Sequence, residues 1–175
     1  MSPIAKRPFR LAAGRRSPRG QRGGAVTLEL ILTVPIWLIL LWAIVEWGQI
    51  LSNEQHVALA ARVGAEEASQ TANLDAAASV PTNVLIAVTQ QLGSSNISWS
   101  KVIIEHNLNG SLEELSEGPG DCDPPSTSLL PTNREYVRVT VCVPLTELAC
   151  NLLGPFGFDI SGCTIQHSAT FRYEL

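Results

Sequence analysis

Between Glu29 and Glu46 the chain carries sixteen consecutive residues without a charge, reading LILTVPIWLILLWAIV. A run of this kind must be kept from water, and a helix that crosses a bilayer needs roughly 20 mostly apolar residues. Residues 25–51 supply 27, interrupted by Glu29, Glu46 and Gln49. At 1.5 Å per residue they make about 40 Å of helix, enough to cross. Trp37, Trp42 and Trp47 are three of the four tryptophans; tryptophan is common at the membrane interface, though Trp42 lies deeper than a belt position. The competing reading is a buried core helix of a soluble protein. The charges beside the run argue against it.

The net charge of −4 over 175 residues hides a split. Residues 1–24 hold seven cations (Lys6, Arg7, Arg10, Arg15, Arg16, Arg19 and Arg22) and no acid, and the rest holds five cations against all sixteen acids, a net of −11. A short basic tail is not a folded basic surface, so nucleic acid is a poor expectation. Arg62 is the only cation within about 20 residues after the run, and the positive-inside rule then puts the N-terminus in the cytoplasm and residues after about 50 outside. A cleaved secretory signal needs a small-X-small site. The stretch EWGQILSNEQ offers none, and Ala58-Leu59-Ala60 comes too late. No cysteine adjoins the run for a lipid anchor, and Arg15-Arg16 is a weak twin-arginine match among neighbouring arginines. The segment is expected to stay attached.

Glu29 stands where a carboxylate is costly, roughly 2.5–3.5 kcal/mol at the membrane centre and less near an interface. It could be a first-turn glutamate favoured by the helix dipole. It is also the fifth residue after Gly24, in GG-AVTLE, between a basic tail and an apolar helix. Here the chain resembles the type IV prepilin-like proteins. That resemblance implies a membrane peptidase cutting between Gly24 and Ala25, with Glu29 at position five of the mature chain. Glycine suits an extended protease cleft because it has no side chain to clash. The freed amine of Ala25 could then meet Glu29 of a neighbouring subunit, since a buried carboxylate is tolerable when paired.

More narrowly, the chain resembles TadE-like proteins, the minor pseudopilins of tight-adherence (Flp, type IVb) pilus systems. Gly24-Ala25 with Glu29, Pro35 in mid-helix, Glu46-Trp47-Gly48, Ala61-Arg62-Val63-Gly64-Ala65 and Ser168-Ala169-Thr170-Phe171-Arg172-Tyr173-Glu174 carry the resemblance. It covers residues 20–70 and 135–175. It assigns processing to Gly24 and Ala25, and subunit assembly to Glu29 and Glu46. Two departures stand out: Arg22-Gly23-Gly24 offers two glycines, and the four cysteines are not required by the family pattern.

The helix is expected to run on to about residue 71. Ala58, Ala61, Ala65, Ala68 and Ala72 recur at spacings of three and four, a small-residue stripe that suits either a close neighbouring helix or the chain's own domain. Gly64 weakens that helix by about 1 kcal/mol. A second helix fits residues 81–92, with Pro81 at its start, Gly93 at its end, and Val84, Leu85, Val88 and Leu92 on one face. Strands are read at 97–106, 136–144 and 163–175, with 107–134 as a long loop and 146–153 as a short helix. Val137, Val139, Val141 and Val143 share one strand face, as do Ile165, His167, Ala169, Phe171 and Tyr173. The fold class is α+β: a long N-terminal transmembrane helix, then a small pilin-like domain with an antiparallel sheet of three or four strands. The divisions are 1–24 basic cytoplasmic leader, 25–51 transmembrane helix, 52–95 helical stalk and second helix, and 96–175 exported sheet region with disulfide-rich loops.

Cys122, Cys142, Cys150 and Cys163 all follow the membrane segment. An even number on the exported side reads as disulfides; a zinc site would show close pairs two to four residues apart. Three pairings are open, with Cys122–Cys142 and Cys150–Cys163 preferred. His56, His106 and His167 are scattered, His167 on a mostly apolar strand face as a core histidine, and Asn96-Ile97-Ser98 matches a glycosylation triplet that is common by chance. No G-x-S-x-G, P-loop or H-E-x-x-H motif occurs, so no enzyme activity, cofactor, metal or small-molecule substrate is expected. The resemblance implies single-pass placement in the cytoplasmic membrane, with other pilins, a prepilin peptidase and the assembly platform as partners. The alternative is an unprocessed envelope scaffold or binding protein that keeps its basic tail.

Overall fold

A computed structural model describes residues 21–97, 101–120, 122 and 134–174, with side chains from residue 26 onward. The basic residues before Gln21, Ser98 of the glycosylation triplet and Pro124-Pro125 lie outside the described residues. Two compact units divide the chain, Met1–Ile39 and Leu40–Leu175.

Helix α1 (Gln21–Ser69) contains the apolar run and Pro35. A proline inside a helix removes one backbone hydrogen bond, and membrane helices tolerate this where the freed group is satisfied nearby. In the first unit, Val26, Leu28, Leu30, Ile31, Leu32, Val34, Ile36, Trp37 and Leu38 are all exposed. The helix is long and apolar enough to cross a membrane, with a mean hydropathy of 2.4 over its most apolar stretch, none of it buried.

The second unit is α+β. After α1 come a 3-10 turn (Leu74–Ala76), α2 (Thr82–Gly93), β1 (Lys101–His106), β2 (Glu113–Glu117), β3 (Tyr136–Pro144), α3 (Leu145–Leu148), a second 3-10 turn (Gly154–Phe156) and β4 (Thr164–Arg172). The four strands form an antiparallel sheet in the order β2-β1-β3-β4. The expected strands at β1, β3 and β4 are present. β2 lies within the expected long loop; its EELSE sequence has one apolar residue in five, and an edge strand needs little more. α2 starts and ends within a residue of expectation, but its left-handed stop is Asn96 (φ 58°) rather than Gly93.

One face of the sheet carries the core. Register places Ile104, Val139 and Ala169 in one row, and Val102, Val141 and His167 in the next. Val57, Ala60, Ala61, Ala65 and Ala68 of α1 and Val84, Val88 and Leu92 of α2 cover these rows. The alanine stripe therefore serves the chain's own domain: Ala61, Ala65 and Ala68 are buried, while Ala72 is exposed. Gly64 belongs to the same contact. A Cβ there would stand 2.7 Å from Val88 Cγ2 and 3.2 Å from Val139 Cγ1, so the weak helix former is what lets α1 approach α2 and β3 closely.

The other sheet face is buried as well. Ile103, Thr140 and Cys142 are covered, and Arg138 meets Glu105 in a two-pronged ion pair at 2.6 and 2.7 Å, both residues buried. Burial on both faces explains why β1 reads as continuously apolar at residues 102–104 instead of alternating.

Candidate functional site

The residues expected to be processed lie in the first unit. Gly24 and Ala25 fall within the opening turns of α1, and Glu29 is exposed one turn after Ala25. A residue four positions on occupies the same helical face, so Glu29 and the Ala25 amide share a side of the helix.

Glu46 sits differently. It is 4% exposed, and its Oε2 accepts a hydrogen bond from the Leu153 backbone N–H at 3.0 Å. Expected at a subunit contact, it has a partner within its own chain. It opens a seam along α1. Asn53 Nδ2 donates to the Leu148 carbonyl. Glu54 Oε1 lies 3.2 Å from His167 Nε2. The Tyr173 hydroxyl donates to the Thr71 carbonyl at 2.7 Å, and the Glu174 N–H to the Ser69 carbonyl at 3.3 Å. Asn83 Nδ2 reaches both Glu67 and Thr71 at 2.9 Å, tying the start of α2 to the same helix. His167, expected as a satisfied core histidine, is half-buried and partnered by Glu54.

The loop between α3 and β4 packs beside the lower part of this seam. The Phe156 ring lies 5.8 Å from that of Trp42, tilted by 47°. Together with helix residues 40–51 the loop bounds an apolar groove of about 700 Å³. Asn151 Nδ2, Ser161 N–H and Ser161 Oγ all donate to Asp159, at 2.7, 2.9 and 2.6 Å. The Ser161 hydroxyl first, and its N–H next, hold the Asp159 carboxyl below the ordinary carboxylate range. Sequence reasoning did not single this loop out; the uncharged LLGPFGF between Cys150 and Cys163 was the available signal.

Cys122 and Cys142 form a disulfide with a Cα separation of 6.4 Å, as expected. It pins Cys122 over the sheet's second face, where its carbonyl also accepts from Lys101 Nζ at 3.2 Å. The preferred second bridge is not formed: Cys150 and Cys163 are exposed free thiols. The Cys163 carbonyl accepts from the Leu145 N–H at the start of α3, and Cys150 lies past the end of that helix. With two of the four sulfurs bonded to each other, a four-thiolate metal centre has no ligand set.

His106 is fully buried, and among the described residues neither ring nitrogen has a hydrogen-bond partner; the Glu113 carboxylate is 3.9 Å away. Burial lowers its pKa below 6.5, and the charges of Glu113 and Asp75 oppose the shift only in part. It is a neutral core residue.

Compared with known proteins, residues 24–66 match the family model described as TadE-like protein. The match takes in Gly24, Ala25, Glu29, Pro35, Glu46 and the Gly64 contact. No curated protein and no solved structure matches the chain.

Proposed function

We propose that this chain is a TadE-like minor pseudopilin that takes part in assembling a tight-adherence (Flp, type IVb) pilus or a related secretion apparatus. α1 anchors it in the cytoplasmic membrane, with the basic leader inside and the α+β domain outside. One observation supports the reading: the family match opens at Gly24 and takes in Ala25 and Glu29, the residues that the prepilin-like reading assigns to processing and to position five. Its partners are other pilins, a prepilin peptidase and the assembly platform, and its role is structural rather than enzymatic.

The local physics supports this use. Gln21–Gly24 form the first turn of α1, where the leading N–H groups have no intrahelical partner. Each of the two glycines weakens a helix by about 1 kcal/mol. A peptidase can therefore draw this turn into an extended cleft at small cost. Cutting after Gly24 frees an amine at Ala25, and Glu29, exposed on the helix, is available to pair with that amine on a neighbouring subunit. The lipid around an unpaired Glu29 makes such pairing favourable.

The test is mass spectrometry of the membrane-purified protein from cells that possess a prepilin peptidase. Wild type is expected to begin at Ala25, Gly24→Arg to keep its leader, and Glu29→Ala to be cut but to co-purify poorly with partner pilins. Wild type retaining residues 1–24 would overturn the assignment in favour of an anchored envelope scaffold.

A further inference from the structure

The loop at residues 151–161 has an unusual division of chemistry. Its neck is polar: Asn151 and Ser161 both donate to Asp159. Its tip, residues 152–158, carries no charge and includes two phenylalanines turned outward, Phe156 at 46% and Phe158 at 66% exposure. Gly157, at φ 91°, supplies the left-handed backbone that turns the tip back on itself. A contiguous outward apolar patch, unlike a single exposed side chain, marks a contact surface.

What covers them follows from what the tip is fastened to. Leu153 is held by Glu46, and Phe156 packs on Trp42 one helical turn earlier. Trp42 lies inside the uncharged run, so the tip is tied to α1 on the lipid side of Glu46. The groove between them is walled by Leu40, Ala43, Ile44 and Trp47 on one side and by Phe158 and Ile160 on the other. The helical wall continues the surface that the membrane reading already gives to lipid. Acyl chains meet both walls without a boundary, whereas a water-filled groove would wet an almost wholly apolar lining. Asp159, which also lines the groove, has its charge met at the neck by Asn151 and Ser161, as a carboxylate at an interface requires.

We propose that residues 151–161 form a second membrane contact. The uncharged tip lies among the acyl chains of the leaflet on the domain's side, and its groove with α1 holds a lipid chain. The proposal rests on α1 spanning the membrane. It adds a point besides α1 at which the exported domain meets the bilayer.

The experiment uses the full chain in phosphatidylcholine–phosphatidylglycerol vesicles, with p-benzoylphenylalanine incorporated in turn at Phe158, Ile44 or Leu112 and photolysed. Ile44 is a helix position 72% exposed, and Leu112 is 52% exposed beside the far edge strand of the sheet. Expected are lipid adducts at Ile44 and Phe158 in comparable yield, with loss to background at Leu112. Labelling at Ile44 with none at Phe158 overturns the loop contact and leaves the anchored helix standing. Phe158 cross-linking to a second copy of the chain in place of lipid also overturns it, and makes the groove a subunit contact. If Ile44 gives no lipid adduct either, the spanning helix fails and the loop contact falls with it.

Discussion

Before Leu40 helix α1 turns leucine, isoleucine and tryptophan outward; after Val57 it turns alanine inward. Ile31 is 66% exposed and Trp37 70%, whereas Ala60, Ala65 and Ala68 are fully buried. Soluble proteins sort their residues the other way, with the largest apolar side chains most often inside. Fourteen large hydrophobic residues between Val26 and Val45 are exposed. Left in water, half-exposed as they are, they would cost on the order of 10–20 kcal/mol. That rivals the entire net stability of a folded domain, about 5–15 kcal/mol. The first half of the helix is therefore built for a solvent other than water. The second half is built for close approach, and there small side chains matter more than apolar area.

The contrast is most sharply broken by a charge. Leu38→Arg is expected to cost about 2.5–3.5 kcal/mol of insertion, on the order of 100-fold in the inserted fraction. Val63→Arg, exposed on the domain half, should stay within about 0.5 kcal/mol. Alkaline extraction of membranes from cells expressing each variant reads the difference, and equal retention would abolish the distinction.

A smaller effect separates two glycines of the same helix. A Cβ at Gly64 collides with Val88 and Val139, while one at Gly48 meets nothing within 4 Å among the described residues. Overpacking costs typically 1–3 kcal/mol and the helix gains about 1 kcal/mol from alanine. Gly64→Ala should therefore lose up to about 2 kcal/mol net, and Gly48→Ala should gain up to about 1 kcal/mol. Denaturant unfolding in detergent, followed by near-ultraviolet circular dichroism, measures both; stabilisation by both would mean that the α1–α2 approach is loose.

The smallest effect is a pH dependence confined to the domain. His106 has a folded pKa lowered by burial from 6.5. Between that lowered value and 6.5 the unfolded chain binds more protons than the folded one, so stability falls as pH drops through this window. It is full above 6.5, and the loss is complete below the folded value. Unfolding midpoints between pH 7.5 and 5.5 should fall more steeply in wild type than in His106→Gln, while membrane retention stays constant. Identical slopes would remove His106 from the account.

The apolar run, the leader charge and strands β3 and β4 were legible because each announces itself within a few neighbouring residues. The valines of β3 and the alternating residues of β4 follow the period of a strand. What was hidden is tertiary. The alanine stripe fits a neighbouring helix as well as its own sheet, and the burial of Ala61, Ala65 and Ala68 with the close approach at Gly64 decides for the sheet. β2 is polar because one strand pairs it and water meets the rest. Glu46 gives no local sign of Leu153, a partner 107 residues away. Cys150 and Cys163 invite pairing by count alone, whereas bridging requires geometry.

The seam along α1 also sets a timetable. Glu46 waits for Leu153, and Thr71 waits for Tyr173, 102 residues later. At synthesis rates of about 5–20 residues per second, about 5–20 s separate the emergence of the stalk from that of the strand that closes it. Throughout that interval the alanine face of the helix is bare and its carboxylate unpaired. A newborn chain is thus briefly a long helix bearing an open, sticky edge, and the residues just after β4 end that exposure. Truncations just short of Tyr173 would prolong it indefinitely, and such chains should be the substrates that envelope proteases clear first.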